Sequence, residues 1–292
     1  MKIHKQGLAV LAGVMLSGSV ALAAPMAYVP NEKSGTVAVI DTATDTVVAE
    51  IKAGSKPRGL AVSADGKRLF VSDQPDSALL VIDLEKRAVV GKVDLGESPE
   101  GVSLSPDGKW VVAAVEVSNS VAFINSATLQ KEFSVRTRGK NPEHAVFSPD
   151  GQWLYVSAEE ADQVDVVDVA KREQVGSILV GTRPRGIGFL PDGSRAYVAS
   201  EVASTVYAID VKAQKAIATI KAGTFSNGVA IRPDGKRAYI SNGKDGTVSV
   251  IDTETNAVVE HGTDAGRQEA LRGQRPLQFG VGDRYREQPK AP

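Results

Sequence analysis

The sequence contains no cysteine. That excludes disulfides, thiolate nucleophiles and cysteine-based metal sites. Aromatic residues make up only 5% of the chain, and neither sign of charge dominates, with 34 basic against 35 acidic residues. A general nucleic-acid or membrane-surface binder needs a basic excess, so those classes are set aside. No G-x-S-x-G, H-E-x-x-H, glycine-rich phosphate loop or basic–aromatic stripe occurs, so no assembled catalytic motif is visible. Long helical periodicity is absent before residue 258.

The one long apolar run lies at the start. Lys2 and Lys5 precede Gly7 to Leu22, and Ala21-Leu22-Ala23 has the A-x-A form of a cleavage site. We read residues 1–23 as a secretory signal peptide cut before Ala24, and the location as a bacterial periplasm. The run is short for a bilayer span, so no stable membrane span is expected after cleavage.

What the chain has in abundance is repetition. Asp-Gly recurs at Asp65, Asp107, Asp150, Asp192 and Asp234, in steps of 42, 43, 42 and 42 residues. A Val-Ile-Asp-like motif keeps the same beat at Asp41, Asp83, Asn125, Asp168, Asp210 and Asp252. So does a strand led by Tyr28, Phe70, Val112, Tyr155, Tyr197 and Tyr239. Short strands on a period of about 40 to 45 residues mark propeller blades. Within the unit Pro57 to Gly96, strands are expected at Leu60–Val62, Arg68–Ser72, Ala78–Ile82 and Ala88–Val93. Asp65-Gly66 supplies the turn after the first of these. The expected fold is all-β: a propeller of four-stranded antiparallel blades over residues 24–258. About six blades are expected here and seven in an intact parent. Residues 27 to 53 supply only the last three strands of the first blade. The repeated aspartates are read as turn residues, because a catalytic group is seldom needed six times.

Tyr28-Val29-Pro30-Asn31, Ser34-Gly35-Thr36-Val37, Val39-Ile40-Asp41-Thr42 and Ser148-Pro149-Asp150-Gly151 resemble the YVTN-type β-propeller repeat over about residues 27 to 258. The signal peptide and the Pro-Arg-Gly and Pro-Glu-Gly loops are similar to those of periplasmic propellers associated with PQQ-dependent catabolism. This resemblance implies a non-enzymatic periplasmic propeller that binds a small ligand or a protein partner. The partner class it implies is a periplasmic redox protein or a quinoprotein dehydrogenase. The same repeat family holds lactonase-like and haem-d1-like enzymes, which is the alternative, as is a docking scaffold for a redox protein. No cofactor is expected, with haem and PQQ as the groups that relatives bring into view. Fold does not settle function.

The regular repeat makes its departures informative. The entries to the innermost strands read Pro57-Arg58-Gly59, Pro99-Glu100-Gly101, Pro142-Glu143-His144, Pro184-Arg185-Gly186 and Ser226-Asn227-Gly228. Arg58, Glu100, Glu143, His144, Arg185 and Asn227 are therefore expected to face one funnel and to bind a small polar ligand. The competing reading is that Arg and Glu simply pair across the channel mouth. His144 stands where other entries have Gly. Metal or haem ligation by a single histidine is the weaker reading, and no metal site is expected. Glu32, Asp73, Asp76, Glu116, Glu159, Glu160, Asp162 and Glu201 are expected to form an acidic rim on the same face.

After Val258 the beat stops, and residues 259–292 read by composition as an irregular tail. A sharper reading comes from reverse translation. Read one base later, Val259 to Gln288 spells a further blade with allowed codons, including Gly-Lys-Lys-Leu-Tyr-Val-Ala-Asn-Gly and Ser-Val-Ser-Val-Ile-Asp-Thr. That string matches the unit Asn227 to Asn256. We therefore read the tail as a frame-shifted seventh blade and expect the sixth blade to end early.

Overall fold

The computed structural model describes residues 26–262. The expected signal peptide, residues 1–23, lies outside them, as does the tail from residue 263. The described residues form 23 β-strands in six antiparallel sheets. No helix among them is long and apolar enough to cross a membrane.

The first sheet has three strands: β1 (Met26–Asn31), β2 (Thr36–Asp41) and β3 (Thr46–Lys52). The second holds β4 (Pro57–Val62), β5 (Arg68–Asp73), β6 (Ala78–Asp83) and β7 (Ala88–Asp94). The third holds β8 (Pro99–Leu104), β9 (Trp110–Val115), β10 (Ser120–Asn125) and β11 (Lys131–Arg136). The fourth holds β12 (Pro142–Phe147), β13 (Trp153–Ala158), β14 (Gln163–Asp168) and β15 (Glu173–Leu179). The fifth holds β16 (Pro184–Phe189), β17 (Arg195–Ser200), β18 (Thr205–Asp210) and β19 (Lys215–Lys221). The sixth holds β20 (Ser226–Ile231), β21 (Arg237–Asn242), β22 (Thr247–Asp252) and β23 (Ala257–Gly262). In each four-stranded sheet the strands pair in sequence order. The inner strands β4, β8, β12, β16 and β20 pack side by side in succession, which is the arrangement of propeller blades.

Two expectations need correction. The sixth sheet does not end early among the described residues, because β23 completes it and runs past position 258. The entry tripeptides are not loops before the inner strands. They are the first residues of those strands, which begin at Pro57, Pro99, Pro142, Pro184 and Ser226. The expected strands of the second blade and the three-stranded first sheet match the structure.

The core lies between sheets. Phe70, Leu79 and Val81 of the second sheet meet Val102, Val111 and Ala113 of the third. Phe123 and Val121 of the third meet Phe147, Leu154 and Val156 of the fourth. Tyr155 and Val166 of the fourth then meet Ile187, Phe189 and Val198 of the fifth. Middle strands bury both faces, whereas outer strands such as β7 leave most residues exposed. Each buried large aliphatic or Phe side chain contributes roughly 1.5–3 kcal/mol.

The turns follow local chemistry. Asp65, Asp107, Asp150, Asp192 and Asp234 each accept a backbone N–H from the residue two positions on, through Oδ1. Only the glycine of each pair has positive φ, at 70° for Gly66. The hydrogen bond from Gly66 N–H to Ser63 O closes the turn over four residues, Ser63 to Gly66. Asp83, Asp168, Asp210 and Asp252 cap the third hairpin of each blade, accepting the amide three positions on through Oδ1. The aspartates of the repeat are turn residues.

Candidate channel-mouth site

Each inner strand enters its sheet through a β-bulge. Pro57 pairs with Asp73 and Leu60 with Val71, so Arg58 and Gly59 oppose the single residue Ser72. The same irregularity falls at Pro99/Val102, Pro142/His144, Pro184/Ile187 and Ser226/Val229. A bulge bends the strand and re-aims a side chain. Serines on the second strand satisfy some of the displaced amides. Gly59 N–H donates to Ser72 Oγ at 2.8 Å, His144 N–H to Ser157 Oγ at 3.0 Å and Gly228 N–H to Ser241 Oγ at 2.8 Å.

The bulges bring the expected residues together. Arg58 Nη2 lies 2.5 Å from Glu100 Oε2 and 4.0 Å from Glu143 Oε2, which spans three sheets. Arg185 Nη1 pairs with Glu143 Oε1 and lies 3.3 Å from Glu159 Oε2, while its Nε is 3.2 Å from Glu201 Oε2. Asn227 Nδ2 donates to Glu201 Oε1 at 3.3 Å. Arg and Glu do pair across the mouth.

A second ring stands one loop away. Glu32, Gln74, Glu116, Glu159 and Glu201 recur on the same beat just after the second strands. Gln74 Nε2 donates to Glu100 Oε1 at 2.7 Å, and Ser98 Oγ donates to Glu116 Oε2 at 2.5 Å. Glu32 receives Lys56 at 3.1 Å and Arg58 at 3.4 Å. The acidic rim is thus partly folded into the network. Asp73 does not belong to it: it is fully buried at the end of β5 and accepts the Ser55 and Lys56 amides. Its carboxylate ties the linker between sheets, so it cannot serve a rim.

A third ring was not anticipated. Lys56, Ser98, Asn141, Arg183 and Phe225 each stand just before the first residue of an inner strand. Ser98, Asn141, Arg183 and Phe225 have φ between 53° and 63°. Their carbonyls accept the amides of Glu116, Glu159, Glu201 and Gly243, so each fixes the loop of the second ring. Arg183 Nε pairs with Glu159 Oε1 and lies 3.3 Å from Glu201 Oε2. The signal was present in the 42-residue beat, two places before each Arg58-type position.

Burial and charge set the ionisation of this cluster. Burial opposes the charge of Arg58 and of Arg185, but the surrounding glutamates outweigh it and hold both guanidinia above their ordinary value. Burial also opposes charge on Glu143, yet Arg185 beside it prevails and holds its carboxyl down at about 2. Glu159 is pushed up to about 7 by burial and by Glu143, against Arg185 and Arg183. Burial pushes His144 down to about 4, against the pull of Glu143. Carboxylate oxygens of Glu116, Glu143 and Glu159 lie within 4.8 Å of one another. Arg183 and Arg185 already supply cations to Glu143 and Glu159.

His144 alters the packing of the inner strands. A Cβ at Gly101 would stand 2.7 Å from Glu143 O, and one at Gly186 would stand 2.5 Å from Asn227 O. Neither site has room for a side chain. His144 occupies the corresponding place on β12, and β12 and β16 pack less closely than the other neighbouring inner strands. Its imidazole turns back over Gly101, with Nδ1 2.9 Å from where a Cβ there would lie.

Sheets of this topology define a β-propeller, and the charged cluster at the inner-strand entries is its candidate site. The model of the family described as "Lactonase, 7-bladed beta-propeller" matches residues 20–126 and 88–178. Together these span more than half of the chain, and the chain belongs to that family. No curated protein matches it. Among solved structures it is similar to Kuenenia stuttgartiensis hydrazine synthase, at 22% identity and a TM-score of 0.69. That match covers 91% of this chain and 87% of the other. It is also similar to a functionally unknown protein from Desulfotomaculum acetoxidans DSM 771, at 16% identity and a TM-score of 0.70. There the match covers 82% of this chain and 80% of the other. These likenesses show the fold alone.

Proposed function

We infer that the protein is a lactonase-like hydrolase whose reaction takes place at the channel mouth. The observation that carries this reading is Arg58 Nη1. It is buried without a hydrogen-bond partner, and its nearest ion-pair oxygen is Glu32 Oε1 at 3.4 Å. A buried donor with an ion-pair partner but no hydrogen bond is under-satisfied, and an acceptor oxygen brought by a ligand would satisfy it. A lactone carbonyl is such an acceptor, and its oxygen gains negative charge when water adds to the carbonyl carbon. A fixed guanidinium aimed at that oxygen stabilises the transition state. Once ionised, above its pKa of about 7, Glu159 is suited to take the water proton, because a base poised near neutral pH works best. The proton then passes to the ring oxygen as the C–O bond breaks, giving a hydroxy acid.

The test is a pH-stat assay of a panel of lactones. Wild type should release acid above background, and Arg58→Ala should lower kcat by about 10²-fold. A wild type without turnover on any lactone would remove the hydrolase reading.

One observation favours a second reading, in which the protein binds its ligand without turnover. Arg185 is already held by Glu143, Glu159 and Glu201, which suits a rigid recognition site. The YVTN-type repeat, export to the periplasm and service to a PQQ-dependent oxidation belong to this reading. Calorimetric binding of a lactone or its hydroxy acid, with no acid release, would distinguish it.

A further inference from the structure

We propose that Glu143 and Glu159 hold one proton between them, and that Arg183, paired with Glu159, sets the pH at which that proton leaves. The two side chains come from different elements, β12 and the loop after β13, and bring carboxylate oxygens within 4.8 Å of each other. Two like charges this close and largely buried repel, and one proton held between the carboxyl groups relieves that repulsion. The cations present do not remove the need. Glu32, Glu100, Glu116, Glu143, Glu159 and Glu201 form one network with Lys56, Arg58, Arg183 and Arg185. Carboxyl groups therefore outnumber cations in a largely buried setting, and one bound proton reduces the excess.

The neighbours decide where that proton resides. Glu143 faces Arg185 from β16, Arg58 from β4 and His144 on its own strand. Glu116 and Glu159 close the remaining side. Its partners favour the ionised form, so the proton belongs chiefly to Glu159. Glu159 in turn is held by Arg183 through Nε and by Arg185 at 3.3 Å. Arg183 also reaches Glu201 at 3.3 Å, which fixes its guanidinium between two sheets. With its backbone at φ 63° and its carbonyl bonded to Glu201 N–H, the residue is anchored at both ends. The raised pKa of Glu159 and the depressed pKa of Glu143 agree with this division.

The proton-sharing pair goes beyond the lactone reading and needs no substrate to test, so either can fail without the other. The experiment is an NMR titration of full-length protein with ¹³C-labelled glutamate carboxyls, from about pH 5 to about pH 9. Wild type should show one glutamate with a midpoint at about 7, and Glu159→Gln should lack it. Arg183→Gln should raise the midpoint by about one unit or more, because a nearby cation favours the ionised form. Arg183→Lys should restore it most of the way. The shared proton is overturned if no wild-type glutamate titrates above about pH 6, a result that requires no variant to fold. The role of Arg183 is overturned if Arg183→Gln titrates as wild type does.

Discussion

Glu159 and His144 drive stability in opposite directions as pH changes. Glu159 rises from its ordinary 4.5 to about 7 on folding, so the folded protein binds the extra proton between those values. Its contribution is full below pH 4.5 and is lost as pH climbs towards 7. His144 falls from 6.5 to about 4, so the unfolded chain binds the extra proton between those values. Its neutral burial favours folding above 6.5 and loses that advantage as pH drops towards 4. The two slopes oppose each other between pH 4.5 and 6.5. Thermal unfolding of wild type should therefore change little over that window. Glu159→Gln leaves His144 alone and should give a midpoint that climbs with pH there. A variant curve as flat as wild type would contradict the opposed pair.

Between sheets, the second-strand tyrosines act as fasteners. Tyr197 reaches from β17 to the turn after β22, where its hydroxyl donates to Asn256 Oδ1 at 2.7 Å and lies 3.2 Å from Thr253 O. Tyr155 occupies the same place one blade earlier, but its hydroxyl is buried without a hydrogen-bond partner. The aromatic rings are buried alike, so replacement by Phe isolates the hydroxyl. Tyr197→Phe should cost about 1 kcal/mol in denaturant unfolding. Tyr155→Phe should be neutral or slightly stabilising, since it removes an unsatisfied polar group. Equal losses in both would mean that the sheet-to-sheet hydrogen bond contributes nothing. The same strands show what regular spacing conveys. Alternating apolar residues and Asp-Gly turns sit within a few positions of each other, so the four strands of a blade could be read locally. The bulge at Pro57–Leu60 could not, because it appears only once Pro57 is paired with Asp73 and Leu60 with Val71.

At the scale of the whole molecule, the first sheet has three strands where the other five have four, and the family description is seven-bladed. The shifted reading of Val259 to Gln288 concerns residues that lie almost wholly outside the described part. We propose that restoring that frame beyond β23 supplies the seventh blade. A closed ring removes strand edges and buries more apolar surface. The frame-restored protein should unfold at a higher temperature and remain soluble at higher concentration than this chain. Equal midpoints would count against the seventh blade, and the codons of the gene check the frame directly.

The 42-residue beat, the strand order and the turn aspartates follow from spacing and backbone chemistry, which act between residues close in the chain. For that reason the propeller and the departures at Arg58, Glu100, Glu143, His144, Arg185 and Asn227 were legible without coordinates. Which of them meet was not. Glu143 lies 42 positions from Arg185, and Arg58 reaches Glu143 across an intervening sheet. Those partnerships depend on the angle between sheets and on the bulges that re-aim each side chain. The sorting of Asp73 into a buried cap and of Glu159 into a proton-holding carboxyl has the same origin. Burial and neighbouring charge belong to the packed molecule, and identical residue types take different roles according to where the sheets place them.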